Sequence, residues 1–250
     1  MSKISWDKEI DTVVVGFGYA GAVAAIQSHD SGAKTLVLEK EGHPAGCSSA
    51  SGGAMMICTD VKKMFGYLKY SAGGIVSDEL LHVFCEELYK NPSYLDELCK
   101  PYNATVVAMR GKYANGIFDH PGREAMGVIR VIRLPGFDRA PDWYPGVLTG
   151  KGSDGQASGA GLRPGIILTR LLMNHVERRK IQVMWHTFAK ELVRNPETNE
   201  IEGLKAESNG KEVYIKAKKA VILASGGFEQ NPEMIKKFCQ GSKYVTFCHP

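Results

Sequence analysis

The apolar positions of the chain fall into short β-branched runs and longer amphipathic stretches, and the two kinds alternate. Thr12 to Val15 is an apolar run of the sort buried on both faces of a parallel sheet. Gly16-Phe-Gly-Tyr-Ala-Gly21 follows it, then a helix-forming stretch, Ala22 to Gln27, that Ser31-Gly32 ends. Lys34 to Glu39 predicts a second strand, so the chain opens with a strand–turn–helix–strand unit.

Farther on, Pro44 to Gly53 is small, polar and glycine-rich, a loop or a helix start. Asp78 to Lys90 reads as a helix that Ser77 caps, with Asp78 and Glu79 at the positive end of its dipole. Leu80, Phe84 and Leu88 share one face and predict its core side. Thr105 to Met109, Val128 to Ile132 and Gln182 to Trp185 read as strands, and Ile166 to Arg179 as a helix. Between them, Pro135 to Gly165 is rich in Gly, Pro and Ser, and long for a loop without a function. A three-strand meander follows: Ala189 to Arg194, Ile201 to Glu207 and Glu212 to Ala217, turning at Asn195 to Asn199 and at Asn209-Gly210. Ala220 to Leu223 is a last apolar strand running into Ala224-Ser-Gly-Gly-Phe228. The order predicts an α/β fold.

Composition narrows this picture little. Hydrophobic residues make up 44% and charged residues 23% of 250 residues, the balance of a globular protein of one large domain or two small ones. The net charge of +4 is spread out with no basic stripe, which argues against a nucleic-acid partner. The six cysteines form no Cys-x-x-Cys pair and read as reduced thiols of a cytoplasmic protein. No secretory signal and no run of about 18 apolar residues stands out, so no membrane span is expected.

The chemistry concentrates in the opening unit. Gly16, Gly18 and Gly21 satisfy G-x-G-x-x-G after a buried strand and before a helix, the context that gives the motif meaning. The first glycine permits the turn, the second lets a pyrophosphate approach the backbone, and the third lets helix and strand pack closely. The amides and dipole of the helix start then face the phosphates. Glu39 ends the second strand, 18 positions after Gly21, where a carboxylate accepts both ribose hydroxyls and repels a 2′-phosphate. Gly46-Cys-Ser-Ser-Ala-Ser-Gly-Gly53 offers small residues and hydroxyls for a pyrophosphate and a flavin ring, which separates FAD from NAD.

These stretches resemble the fumarate reductase/succinate dehydrogenase flavoprotein superfamily, in its soluble branch with 3-ketosteroid dehydrogenases and urocanate reductases. The resemblance is carried by Asp11 to Ala22, Leu38-Glu-Lys40, Ala45 to Gly53, and Ala220 to Phe228 with Asn231-Pro-Glu-Met234. It implies a Rossmann-like FAD-binding domain with a β-meander and inserted helices over residues 60–165. It implies that Gly16, Gly18, Tyr19, Ala20 and Gly21 hold the pyrophosphate, that Glu39 holds the adenosine ribose and that Lys40 lies beside adenine. Cys47, Ser48, Ser51, Gly52 and Gly53 would line the diphosphate and flavin, Ala189 would offer its backbone to adenine, and Ala224, Ser225 and Gly226 would pass close to the cofactor.

The implied activity is hydride transfer at a carbon–carbon bond next to a carbonyl of a small molecule, with the electron partner open. Membrane-bound relatives attach FAD through a histidine in the Gly-Gly-ended loop. No histidine lies between Gly46 and Gly53, and His43 does not match that position, so the FAD is expected to be noncovalent. The superfamily continues past the Gly-Gly-Phe strand with a capping domain and most of its proton-transfer groups, so this chain is expected to be a C-terminally truncated part. No catalytic residue is therefore assigned; Tyr113, Trp143 and Tyr144 read as packing residues, as do His175 and His186, and no metal site is expected. Two other readings stay open, an FAD- or nucleotide-binding part without turnover and an NAD-dependent dehydrogenase.

Overall fold

Val13 and Val14 are fully buried at the centre of the first strand, because parallel neighbours flank it on both sides. The computed structural model describes residues 4–44, 46–109, 119–139, 141–142, 162–229 and 231–239. It divides into two compact units, one formed by Met1–Ala50 with Leu172–Pro250, the other by Ser51–Leu171.

The first unit holds a six-stranded sheet. Its strands are β1 (Lys8–Val15), β2 (Thr35–Leu38), β6 (Gln182–Met184), β7 (Thr187–Arg194), β8 (Ile201–Ser208) and β9 (Lys211–Leu223), in the order β6-β2-β1-β9-β8-β7. The β6, β2, β1 and β9 ladders are parallel, and β8 and β7 complete an antiparallel meander. Helix α1 (Tyr19–Asp30) connects β1 to β2 and buries Ala22, Ala25 and Ile26. Val13, Leu36, Leu38, Leu204, Ile215 and their neighbours form the core of this sheet. Asn209 and Gly210 both have positive φ (49° and 78°), as the Asn-Gly turn between β8 and β9 requires.

The third meander strand and the final apolar strand, expected as two, are one. The register against β1 slips between Ile10 and Thr12, where Ala217 and Ala220 are the partners, so β9 carries one extra residue. A bulge of this kind lets the charged Lys218-Lys219 step sit inside a continuous strand. Lys218 Nζ lies 3.0 Å from Asp11 Oδ1 there.

The second unit has a three-stranded antiparallel sheet, β3-β5-β4, made from β3 (Met55–Cys58), β4 (Thr105–Met109) and β5 (Met126–Arg133). Two helices join them, α3 (Val61–Ala72) and α4 (Asp78–Cys99). Ser77 caps α4 by accepting from the Leu80 amide at 3.3 Å. The helix does not stop at Lys90 but runs through Pro92. A proline inside a helix costs about 3 kcal/mol, and the buried stripe Leu88, Leu95, Leu98 and Cys99 continues across it to offset that. The predicted core face is also corrected: Leu80 and Phe84 are 60% and 46% exposed, whereas Leu81, Cys85 and Leu88 are buried.

The thiols of Cys58, Cys85 and Cys99 are free and buried. Burial raises the Cys85 and Cys99 pKa values to about 11. The division between the units falls within α5 (Pro164–Arg178), whose Ile166, Ile167, Leu168, Leu171, Leu172 and Val176 are buried. One-turn α2 (Cys47–Ala50) and short α6 (Pro232–Phe238) complete the α-helices of the described residues. None of these is long and apolar enough to cross a membrane.

Candidate functional site

The turn after β1 is built by steric necessity. Gly16 has φ +97°, and a Cβ there would sit 2.6 Å from the Ala224 carbonyl oxygen. A Cβ on Gly21 would overlap the Gly16 carbonyl and touch Ala224. Strand, helix and the return after β9 therefore meet at backbone distance, and only glycine fits at both positions. Gly16 N donates to Leu38 O and Ala224 N to Val15 O, each within 2.9 Å, which fixes the turn over the ends of three parallel strands. This is the carboxyl edge of a parallel sheet, where ligands of such folds bind.

Helix α1 starts at Tyr19, three residues earlier than the periodicity predicts. Its cap residue Gly18 has no side chain to satisfy the first amides, and its first turn holds no acid. The helix thus presents amides and a positive dipole end with no carboxylate competing for them, the requirement for an anion site. The Tyr19 amide donates to Ser48 Oγ at 3.1 Å, so α2 delivers a hydroxyl to the place where a pyrophosphate oxygen is expected. Ala20 and Cys47 are exposed beside it, and Ser49 Oγ steadies the short helix by donating to Gly46 O at 3.2 Å. Ala45 lies outside the described residues.

Glu39 follows β2 and is only 6% exposed. Its carboxylate accepts from the Phe17 amide at 2.8 Å and the Glu41 amide at 3.0 Å. A carboxylate offers about four acceptor positions, so two bonds to backbone fix it and leave capacity for ribose hydroxyls. Lys40 is exposed, with Nζ 3.8 Å from Glu41. Ala189 pairs with Ala206 in β7, an edge strand whose first residue, Thr187, donates its amide to Glu39 O at 2.8 Å. After β9, Ser225 and Gly226 are exposed, with Gly226 at φ +82°.

The structure thus brings together Gly16, Gly18, Tyr19, Gly21, Glu39, Ser48 and Ala224. Ser51, Gly52 and Gly53 belong to the start of the second unit. There Gly53 N donates to Ser51 Oγ at 3.0 Å, and a Cβ on Gly53 would lie 2.6 Å from the Pro164 backbone, which gives that glycine a packing reason of its own. Gly52 is exposed with open space about it.

Sequence reasoning missed Phe17 and Glu41, whose amides hold Glu39, and Trp185, whose ring lies 5.4 Å from that of Phe17. Backbone amides carry no residue signature, so only the position of Phe17 inside the glycine motif pointed to it. His175 is buried, with its Nδ1 2.9 Å from Arg179 Nη1. Arg179 also makes a two-pronged contact to Asp30, which holds that carboxyl below the usual carboxylate range. His175 is thus a packed histidine beside an ion pair. Tyr113, Trp143 and Tyr144 lie outside the described residues. Among the described residues no His, Cys, Asp and Glu group is placed to hold a metal.

The residues present fit FAD on these observations: an acid-free helix start over a backbone cradle, and a fixed carboxylate at the next strand end. The family model of the FAD binding domain matches residues 11–247. A 3-oxosteroid 1-dehydrogenase of Comamonas testosteroni is 25% identical, with 91% of this chain and 48% of that protein covered. A urocanate reductase of Eggerthella lenta is 27% identical over 92% of this chain and 34% of that protein. The crystal structure of 3-ketosteroid delta1-dehydrogenase from Sterolibacterium denitrificans superposes with a TM-score of 0.74 at 20% identity, over 92% of this chain and 50% of that one. The chain spans half or less of the length of these relatives.

Proposed function

Because the chain belongs to the FAD binding domain family, we propose that it is the cofactor-holding part of an oxidoreductase acting at a carbon–carbon bond next to a carbonyl. The observation that carries the proposal is the buried Glu39 carboxylate, held by two backbone amides one strand away from the glycine cradle. The two together match the adenosine ribose and pyrophosphate of a dinucleotide. FAD, when bound, supplies the hydride acceptor or donor.

The chain's own residues bind and orient it. Gly16 to Gly21 direct backbone amides at the pyrophosphate, and the Ser48 hydroxyl shares the Tyr19 end of that cradle. Glu39 accepts the ribose hydroxyls, Lys40 and Ala189 flank adenine, and Cys47, Ala224, Ser225 and Gly226 serve the diphosphate and flavin side. The absence of histidine from Gly46 to Gly53 supports noncovalent attachment. A small-molecule substrate is supported by the relatives, whose names give a 3-oxosteroid and urocanate. The buried free thiols support a reducing, cytoplasmic setting.

The test is to purify the protein, titrate it with FAD and NAD, and assay a panel of fumarate, urocanate and 3-ketosteroids with a reduced donor or an electron acceptor. FAD binding with release of all flavin on acid precipitation is expected of residues 1–250, and turnover of one panel member is expected of the longer protein to which such a cofactor-holding part belongs. Flavin retained in the washed pellet overturns noncovalent attachment, and NAD bound in preference to FAD overturns the cofactor. FAD bound by residues 1–250 but no turnover of any panel member by the longer protein overturns the activity and leaves a binding part.

A further inference from the structure

The Glu39 carboxylate is anchored through a second segment, Trp185 to Thr187, which joins β6 to the meander. Glu39 N donates to Met184 O at 2.9 Å and Thr187 N to Glu39 O at 2.8 Å, so the chain wraps around Glu39 from both sides. His186 N donates to Glu41 O at 3.1 Å, which holds the second residue whose amide grips the carboxylate. Trp185 packs on Phe17, the residue that supplies the other amide. The two residues whose amides hold the carboxylate, Phe17 and Glu41, are thus each contacted by this segment, Phe17 through its ring and Glu41 through its carbonyl.

This wrap depends on an unusual conformation. His186 has φ +49°, left-handed for a non-glycine residue. Its carbonyl is tied down by the Asn209 amide at 3.1 Å, and Thr187 Oγ1 bonds Trp185 O at 2.9 Å and Ser208 Oγ at 2.8 Å. The meander turn thus imposes the left-handed residue. A left-handed backbone in a non-glycine residue persists only when its surroundings over-determine it, and such residues cluster at ligand clamps.

We infer that the Trp185–Thr187 turn, set by the left-handed backbone of His186, is the positioning element that presents the Glu39 carboxylate to the adenosine ribose. The inference rests on the FAD reading of the site. His186 acts through Glu39 and is a positioning residue. Side chains that resist the left-handed region let the turn relax in the free protein. Ribose binding must then pull it back, so the cost appears in affinity for the adenosine half of the cofactor.

The test compares His186→Gly, His186→Ala and His186→Val, with Kd values for FAD, ADP and FMN and the thermal midpoint without ligand. Glycine adopts the conformation freely, alanine resists it and a β-branched residue resists it most. FAD and ADP affinity should stay within about threefold of wild type for glycine. It should fall by about threefold to tenfold for alanine and by about tenfold to thirtyfold for valine. FMN, which lacks adenosine, should bind all forms equally. Adding His186→Val to Glu39→Ala should weaken FAD no further. Should the valine variant fail to fold, the glycine–alanine pair decides. Equal FAD affinity in the glycine and alanine variants overturns the inference, as does an equal loss for FMN. Wild-type protein that binds ADP and FMN but not FAD, or none of the three, overturns the FAD reading itself.

Discussion

A single carboxylate shows how a residue's role becomes visible only with its neighbours. Glu39 stands out in the sequence by its spacing from Gly21, yet spacing alone leaves it a surface acid. The structure buries it and gives it the Phe17 and Glu41 amides. Replacing it by alanine removes the proposed ribose acceptor and also strands two amides. A hydrogen bond to a charged group is worth roughly 1.5–3 kcal/mol, so Glu39→Ala should weaken FAD about tenfold to a hundredfold. Glu39→Gln keeps one carbonyl acceptor but turns an NH2 toward N–H donors, so it should fall between the two. Fluorescence titration with FAD checks both, and an unchanged dissociation constant for Glu39→Ala removes the residue from the site. Ser48 makes the complementary point: the sequence proposes its hydroxyl as a phosphate neighbour, and the structure places that hydroxyl on the Tyr19 amide at the start of α1.

At the scale of elements, the strands with β-branched runs were readable and the amphipathic faces less so. Thr105–Met109 forms as predicted, and the predicted Val128 to Ile132 lies inside Met126–Arg133, whose burial alternates. Helix α4 is predicted from Ser77, Asp78 and Glu79 as well, but its core face is displaced by one residue. Leu80, Val83, Phe84 and Tyr89 are apolar and exposed, so apolar positions surround the helix and hydrophobicity cannot choose among them. Helix α3 is flanked by ordinary signals, an Asp60 cap bonded to Lys63 N and a left-handed Gly73. Lys62-Lys63 and Gly66 interrupt its apolar stripe, and only Met64 and Tyr67 are buried on it. The corrected face of α4 predicts a contrast between adjacent leucines. Leu81→Ala empties a buried position and should cost about 2–5 kcal/mol, whereas Leu80→Ala should stay within about 0.5 kcal/mol of wild type. Urea unfolding measures both, and comparable losses would restore the face that periodicity favours.

On the scale of the whole molecule, the first unit is assembled from two distant stretches, Met1–Ala50 and Leu172–Pro250. Parallel pairing of β1 with β9 and of β2 with β6 stitches the stretches together, and Arg179 on the second reaches Asp30 at the end of α1. The residues proposed to hold the cofactor follow the same division: Gly16 to Glu39 and Ser48 come from the first stretch, Ala189 and Ala224 from the second. A ligand touching both adds a further cross-link between chain segments that no local turn connects, and binding to the folded form alone stabilises it by mass action. FAD at a hundred times its dissociation constant should add about 2.7 kcal/mol, which for a chain of this size raises the thermal midpoint by about 5–11 °C. The same FAD concentration should give Glu39→Ala only a fraction of that rise, since its dissociation constant is expected to be higher, while FMN at equal concentration, which lacks adenosine, should raise the wild-type midpoint less. Scanning fluorimetry of both proteins with each flavin supplies the comparison. A midpoint that this FAD concentration leaves unmoved would mean that FAD does not bind the folded form in preference to the unfolded chain, and that the glycine cradle and Glu39 do not act as one site.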